Sequence, residues 1–161
     1  MNNQDLNFLD AIRLASEAEE RAAAFYDEAA AKTENPLGRE LLEQLADFER
    51  YHHTQLLALE DSLCNDGACI IYEGRDLDFP VPDEVEKIKG ADKMSAMGII
   101  EAAIEIKRKA EERYAALAEQ TTDLNGQAMF QRLAEEEHAN HRILEDAYWS
   151  LNNRGVWIQP K

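Results

Sequence analysis

Apolar residues recur every three or four positions along two long stretches of the chain, at about residues 7–63 and 95–151. This spacing brings them onto one face of an α-helix. Each stretch is divided once, where Asn35 and Asp123 are suited to cap the start of a new helix. The pattern therefore predicts four long helices, arranged as two antiparallel hairpins with short connections.

The segment between the hairpins, at about residues 64–94, lacks the helical period and contains turn-forming Gly, Pro and Asn residues. It predicts at most one short element, near Glu84 to Ile88. A connection of this length can cross a whole bundle, and a four-helix bundle with one long crossover has the ferritin-like topology. We therefore predict an all-α, ferritin-like four-helix bundle forming a single domain over residues 1–161.

The two predicted hairpins repeat each other at a constant offset of 88 residues, without a gap. The offset indicates an internal duplication of one helical hairpin, and it allows the two halves to be compared position by position. The matching pairs include Ile12 and Ile100, Tyr26 and Tyr114, Gly38 and Gly126, Glu49 and Glu137, and His53 and His141.

Ionisable and polar residues interrupt each apolar face near its middle, and they are Glu19, Glu49, His52, Lys107, Glu137 and Asn140. Burial of one unpaired carboxylate costs several kcal/mol, so carboxylates that converge at one level require a counter-charge. A metal ion is the simplest one. Carboxylates with one imidazole suit iron or manganese, and zinc less exclusively. A metal-free network of ion pairs with Lys107 is the alternative.

Four segments resemble rubrerythrin-like proteins of the ferritin-like di-iron carboxylate superfamily: AIRLASEAEERAAAFYDEAA, LLEQLADFERYHHTQLL, MGIIEAAIEIKRKAEERYAALAE and FQRLAEEEHANHRILEDAYWSL. The resemblance implies that each hairpin supplies a Glu seven residues before a Tyr, followed by Glu-x-x-His. Glu19 before Tyr26, and Glu49 with His52, match this pattern. Tyr26 and Tyr114 are then expected to hydrogen-bond carboxylates of the opposite hairpin.

The second hairpin departs from the pattern. Lys107 stands where the family has a ligand Glu, and Asn140 stands where it has the His, so that Glu137 is the remaining ligand. The three carboxylates of the site carry −3 and a protonated Lys107 adds +1, which leaves −2 and balances one divalent ion. We therefore expect a single-metal or weakened site, with a working two-metal site and a metal-free bundle as alternatives.

The histidines other than His52 are expected to lie outside the site. Glu135 and His138 form a literal Glu-x-x-His one step out of register, on a face that continues with polar residues and is expected to contact solvent. His53 and His141 neighbour the ligand positions in the two halves. We expect them to have hydrogen-bonding or surface roles rather than to bind metal.

The resemblance implies an iron-dependent oxidoreductase that reduces peroxide or oxidises Fe(II), with one or two irons per chain and manganese or zinc as substitutes. The tail VWIQPK has no cysteine for a rubredoxin domain, so electrons would come from a separate donor. The alternative function is a non-catalytic metal-binding or structural bundle, in which the Lys107 ion pair replaces one metal. A homodimer is expected, and Val156-Trp157-Ile158 would dock on the bundle or on a second subunit.

The net charge of −16 argues against partners that are themselves anionic, so neither nucleic acid nor a membrane surface is expected. We see no signal peptide at the N-terminus and no apolar run as long as a membrane span. A cytoplasmic location is therefore expected. Cys64 and Cys69 would be free thiols there, because their spacing is not that of a zinc or rubredoxin pair.

Overall fold

The computed structural model describes residues 3–77, 79 and 86–158, and its regular structure in this part of the chain is entirely α-helical. The predicted all-α four-helix bundle is confirmed. Each hairpin extends three to five residues beyond its predicted ends. The helices are α1 (Asn3–Lys32), α2 (Pro36–Asp66), α3 (Gly90–Gln120) and α4 (Leu124–Arg154), and the hairpins pair α1 with α2 and α3 with α4.

The ends of the helices carry the capping residues that the sequence indicates. The Asn35 side chain accepts backbone hydrogen bonds in the first turn of α2, at 3.1 Å, and Asp123 does the same for α4, at 3.0 Å. Helices α2 and α4 end at Gly67 and Gly155, with φ of 70° and 68°. A residue with a side chain is strained at such φ values, so these glycines give both helices a defined stop.

Two apolar clusters fill the bundle, and along every helix the buried ionisable residues separate one cluster from the other. Each helix must turn its apolar face towards both clusters, and this fixes the rotation of the helix about its own axis. The polar residues between the clusters lie on the same face, so they too are turned into the bundle. The first cluster includes Tyr26, Leu41, Leu45, Ile100 and Leu144. The second includes Ile12, Leu56, Tyr114, Phe130 and Leu133.

The chain segments that follow α2 and α4 each dock on the start of a helix in the other hairpin. Cys69 is buried against Gly126, where an added Cβ would lie 2.8 Å from the Cys69 sulfur. Trp157 is buried against Gly38, where an added Cβ would overlap the indole ring. The two pairs are related by the same 88-residue offset. The segment containing Trp157 thus docks on the bundle.

The crossover is irregular wherever the structure describes it, and its last described residues contact the C-terminal segment. The backbone N–H of Ile88 donates to the carbonyl of Gly155 at 2.7 Å. The short element predicted near Glu84 to Ile88 lies partly outside the described residues, and 86–88 are not helical. Cys64 is exposed, Cys69 is buried and neither forms a disulfide. No described helix combines the length and apolar character needed to cross a membrane.

Candidate metal centre

A buried polar layer lies at mid-height in the bundle, where all four helices contribute. Its members are at most 1% exposed, and they are Glu19 from α1, Glu49 and His52 from α2, Lys107 from α3, and Glu137 and Asn140 from α4. The four residues predicted as ligands, Glu19, Glu49, His52 and Glu137, each offer a donor atom within 4.8 Å of the others. The structure thus brings the whole predicted ligand set together.

The ring of His52 lies between carboxylates on both of its edges. Its Nδ1 is 3.0 Å from Oε1 of Glu137 and 3.8 Å from Oε2 of Glu19. Its Nε2 is 3.4 Å from Oε1 of Glu136, on the side away from the other ligands. A carboxylate that holds one ring nitrogen in this way orients the other nitrogen of a ligand histidine.

Glu136 adjoins the layer through its contact with His52, and it is not among the residues predicted from the sequence. Its buried carboxylate accepts the Tyr72 hydroxyl at 2.9 Å, the Arg75 backbone N–H at 3.0 Å and Nε of Arg132 at 3.2 Å. Tyr72 and Arg75 belong to the irregular crossover, where no period indicates which way a side chain points. One signal was present: Glu136 occupies the position that the repeat gives to the fully buried Phe48.

The ammonium of Lys107 lies between the two carboxylates that the repeat makes equivalent. Its Nζ contacts Oε1 of Glu49 directly and is 3.0 Å from Oε2 of Glu137. The ring centroids of Phe48 and Tyr26 lie 5.6 Å and 5.7 Å from the same nitrogen. Two anions and two aromatic faces are surroundings that favour a buried cation.

The charges in the layer hold its groups in their ionised forms. Burial by itself lowers the pKa of Lys107, but the charges of Glu137 and Glu19 outweigh burial and raise it. Burial likewise opposes ionisation of Glu19, yet His52 and Lys107 bring its pKa below the ordinary value. The carboxylates around His52, with Glu136 first, raise its pKa against the effect of burial. Lys107 is therefore an ammonium, which offers donors only and cannot bind a metal.

The two tyrosines of the repeat show how far the asymmetry of the layer extends. Tyr114 donates its hydroxyl hydrogen bond to Glu19 of the opposite hairpin, as expected. Tyr26 is equally buried, but its hydroxyl has no hydrogen-bond partner among the described residues. The repeat equivalent of Glu19 is Lys107, which accepts no hydrogen bond. Asn140 Nδ2 is also without a partner in the described part of the chain.

The donor atoms on the His52 side of the layer fit one metal ion. Glu19 Oε2, His52 Nδ1 and Glu137 Oε1 are buried and close together, but their contacts with one another, the one of 3.0 Å included, lack the geometry of a hydrogen bond, and they have no other partner among the described residues. Native proteins rarely leave such atoms unpaired, because an unpaired buried polar atom costs about 1–3 kcal/mol. A single cation satisfies all three at once.

A cavity of about 230 Å³ opens between α1 and α3 and reaches the layer. Glu19 and Glu49 are part of its lining, so the cavity adjoins two of the candidate ligands. Arg21, Lys109 and Arg113 also line it. This basic lining contrasts with the strongly negative charge of the whole chain.

The histidines expected to lie outside the layer do so. His53 Nδ1 is 2.9 Å from the backbone carbonyl oxygen of Ser16. Glu135 and His138 are exposed, on a face of α4 that turns away from the layer. The ring of His141 is partly buried and pairs with Glu145 at 3.1 Å.

A bundle of two helical hairpins, with a long crossover and a buried carboxylate–histidine layer, has the ferritin-like architecture. The rubrerythrin family model matches residues 1–60, which hold Glu19, Glu49 and His52. The rubrerythrin-like resemblance is thereby confirmed, with the match lying on the hairpin whose motif is intact.

A solved structure described as hypothetical protein Pfu-1136390-001 from Pyrococcus furiosus is similar over nearly the whole chain. It is 25% identical, with a TM-score of 0.71, and the alignment covers 94% of this chain and 92% of that one. None of the curated proteins compared with the chain matches it.

Proposed function

We propose that this ferritin-like protein binds one divalent transition metal ion, with iron as the first choice, through Glu19, Glu49, His52 and Glu137. One observation carries the proposal. Unpaired donor atoms of Glu19, His52 and Glu137 face one another on one side of the layer, whereas the Lys107 ammonium joins Glu49 and Glu137 on the other. Three carboxylates and one imidazole are ligands that iron and manganese favour, and zinc accepts them as well.

The charge of the layer supports one divalent ion rather than two. Glu19, Glu49 and Glu137 contribute −3 and the ammonium of Lys107 contributes +1, so the layer carries −2 in the metal-bound state, in which His52 must give up its extra proton to bind through Nδ1. One divalent ion brings the sum to zero. A second one would lie against the ammonium in a medium of low dielectric constant, where repulsion between cations is strong.

Iron bound in the layer supplies redox chemistry, and we propose that it acts on a small oxidant such as peroxide or on Fe(II). The chain's own residues contribute positioning. Glu136 accepts the Nε2–H of His52, which turns Nδ1 towards the ligands, and Tyr114 holds Glu19. The cavity between α1 and α3 gives a small reactant access. Because a single iron exchanges one electron at a time, a separate electron donor is part of this proposal. The expected homodimer stays a prediction.

A second candidate function is a structural bundle that needs no metal. The contacts of Lys107 with Glu49 and Glu137, between two aromatic rings, support it, because they already compensate two of the buried carboxylates. The unpaired atoms of Glu19 and His52 argue for the metal-binding function instead.

Metal content distinguishes these functions. We expect one tightly bound iron per chain after anaerobic reconstitution with Fe(II) and desalting, measured by elemental analysis. Glu49→Ala should lose most of this iron, whereas Glu135→Ala, on the exposed face of α4, should keep it. Two tightly bound irons would favour a two-metal site, and no bound iron would favour the structural bundle. Equal losses in both variants would mean that the iron is bound elsewhere.

A further inference from the structure

We infer that Glu111, His138 and His141 form a second metal site, at the protein surface, for a zinc-like divalent cation. This surface triad lies on α3 and α4 alone. One nitrogen of each imidazole and one oxygen of the carboxylate lie within 4.8 Å of one another. Two imidazoles and one carboxylate are the ligands of many zinc sites that keep a position open for water.

The triad is built from one turn of α4 that faces α3. His138 and His141 are three residues apart, which brings both rings to the same side of the helix, with centroids 6.3 Å apart. The two carboxylate oxygens of Glu111 lie 3.1 Å and 3.2 Å from Nδ1 of His138. The donor atoms therefore already converge, and a cation would take the place of the proton that Nδ1 of His138 donates to Glu111.

The hydrogen bonding of His141 leaves one nitrogen available. Its Nε2 is 3.1 Å from a carboxylate oxygen of Glu145, and since a carboxylate only accepts, Nε2 carries the proton. The neutral ring then has its lone pair on Nδ1. That atom is shielded from solvent and has no hydrogen-bond partner among the described residues. A histidine held by a carboxylate at one nitrogen and free at the other has the arrangement of a metal ligand.

The first hairpin shows what the same positions look like without a site. His53 is the repeat equivalent of His141, and its Nδ1 is satisfied by Ser16. The counterpart of Ser16 is Ile104, which has no hydroxyl, and among the described residues its backbone carbonyl does not pair with Nδ1 of His141. Ala23 and Arg50 stand where the second hairpin has Glu111 and His138. The donor set is therefore particular to the second hairpin.

The surface triad and the buried layer suit different metals. The buried layer offers three carboxylates and one imidazole, whereas the triad offers one carboxylate and two imidazoles, which shifts its preference from iron and manganese towards zinc. The side chain of His138 is 53% exposed, so an ion in the triad exchanges with solvent. The negative charge of the whole chain raises the local concentration of such cations.

The test is a titration of the full chain with Zn²⁺ alone, in competition with a chromophoric chelator. We expect the double variant His138→Ala/His141→Ala to bind one Zn²⁺ per chain fewer than the wild type. His53→Ala is the matched control and should bind as much as the wild type. Imidazole NMR signals of His138 and His141 should shift at the first equivalents that the triad takes up.

Equal Zn²⁺ stoichiometry in the wild type and the double variant would overturn the inference, as would loss of the same ion in His53→Ala. A wild-type dissociation constant weaker than about 1 mM would also overturn it, because such binding is typical of any acidic surface. The titration is repeated in Glu49→Ala, where the triad should keep its ion. The titration of Glu49→Ala thus distinguishes loss of Zn²⁺ binding by the triad from loss of metal binding by the buried layer.

Discussion

At the scale of single residues, the two tyrosines of the repeat have the same burial and different hydrogen bonding. Tyr114 bonds the ionised carboxylate of Glu19, while the hydroxyl of Tyr26 faces a neighbourhood in which Lys107 has replaced the acceptor. A buried hydroxyl contributes to stability only when it is paired. The same hydroxyl is therefore stabilising in one half of the bundle and costly in the other.

Removal of the two hydroxyls should consequently have unequal effects. Tyr114→Phe should lower the free energy of unfolding by about 1.5–3 kcal/mol, because a hydrogen bond to a charged group is lost. Tyr26→Phe should change it by less than about 0.5 kcal/mol, or raise it, since no bond is lost. Urea denaturation of metal-free protein measures both values. Equal losses would show that Tyr26 has an acceptor after all.

The two thiols should react at different rates in the folded protein. Burial, together with the charge of Asp123, raises the pKa of Cys69 to about 11, so at pH 8 this thiol is almost wholly protonated as well as buried. Iodoacetamide at pH 8 should therefore label the exposed Cys64 first, as read by mass spectrometry of the peptides. Both residues should react in urea, and equal labelling without urea would contradict the burial of Cys69.

Much of the candidate site could be predicted from the sequence, because an ionisable residue on the apolar face of a helix stands out from its neighbours. Glu19 and Lys107 are identified in this way, and the repeat makes their equivalence visible. Glu136 could not be found by the same reasoning. It lies beside the stripe, and its partners Tyr72 and Arg75 belong to a segment whose conformation depends on tertiary contacts. Periodicity carries no information about such a segment.

At the scale of elements, the lengths of the helices follow from the extent of their apolar faces and from their capping residues. The fold was predictable for that reason. The docking of the segment after α2 was not predicted, and for the segment after α4 the sequence left open whether Trp157 packs on the bundle or on a second subunit. Gly67 and Gly155 obey the 88-residue repeat, but the buried residues two positions later are Cys69 and Trp157, which have nothing in common chemically. Each packs closely against a glycine of the other hairpin.

Substitution of two helical glycines by alanine should change the free energy of unfolding in opposite directions. Gly98→Ala should raise the free energy of unfolding by up to about 1 kcal/mol, because alanine favours the helix and the new Cβ meets no described atom within 4 Å. Gly38→Ala should lower it by about 1–3 kcal/mol, because the indole of Trp157 must move.

Chemical denaturation gives both values, and fluorescence reports the indole directly. In a Trp149→Phe background Trp157 is the remaining tryptophan of the two in the chain. Its emission should shift to the red in Gly38→Ala and stay unchanged in Gly98→Ala. An unshifted emission in Gly38→Ala would mean that the C-terminal segment does not pack on α2.

At the scale of the whole molecule, metal binding and stability are linked through the charge of the layer. Lys107→Glu combined with Asn140→His replaces the ammonium by a fourth carboxylate and adds an imidazole, so the layer changes from −2 to −4. Without metal, this double variant should be less stable than the parent, because like charges repel strongly where the dielectric constant is low. Fe(II) should restore the stability, since it binds the folded state preferentially.

Thermal melts with and without Fe(II), for parent and double variant, measure this linkage. The rise in Tm on adding Fe(II) should be larger in the double variant, which should also bind a second iron. That second iron should be the weaker one, because Phe48 stands where Glu136 supports His52 in the other half. If the parent shows the larger rise, Lys107 does not take the place of a metal.

The docking of each post-helix segment on the other hairpin shows that the two hairpins pack as related copies. Because both copies lie in one polypeptide, the two halves of the metal centre can acquire different substitutions. Two identical hairpins on separate chains, related by a twofold axis, carry every substitution twice. A lysine at the position of Lys107 would then also replace Glu19, and a tryptophan at the position of Trp157 would also replace Cys69. Joining the hairpins in one polypeptide releases each position from its copy. One half of the centre can then keep its ligands, while in the other half a lysine ammonium permanently supplies the positive charge.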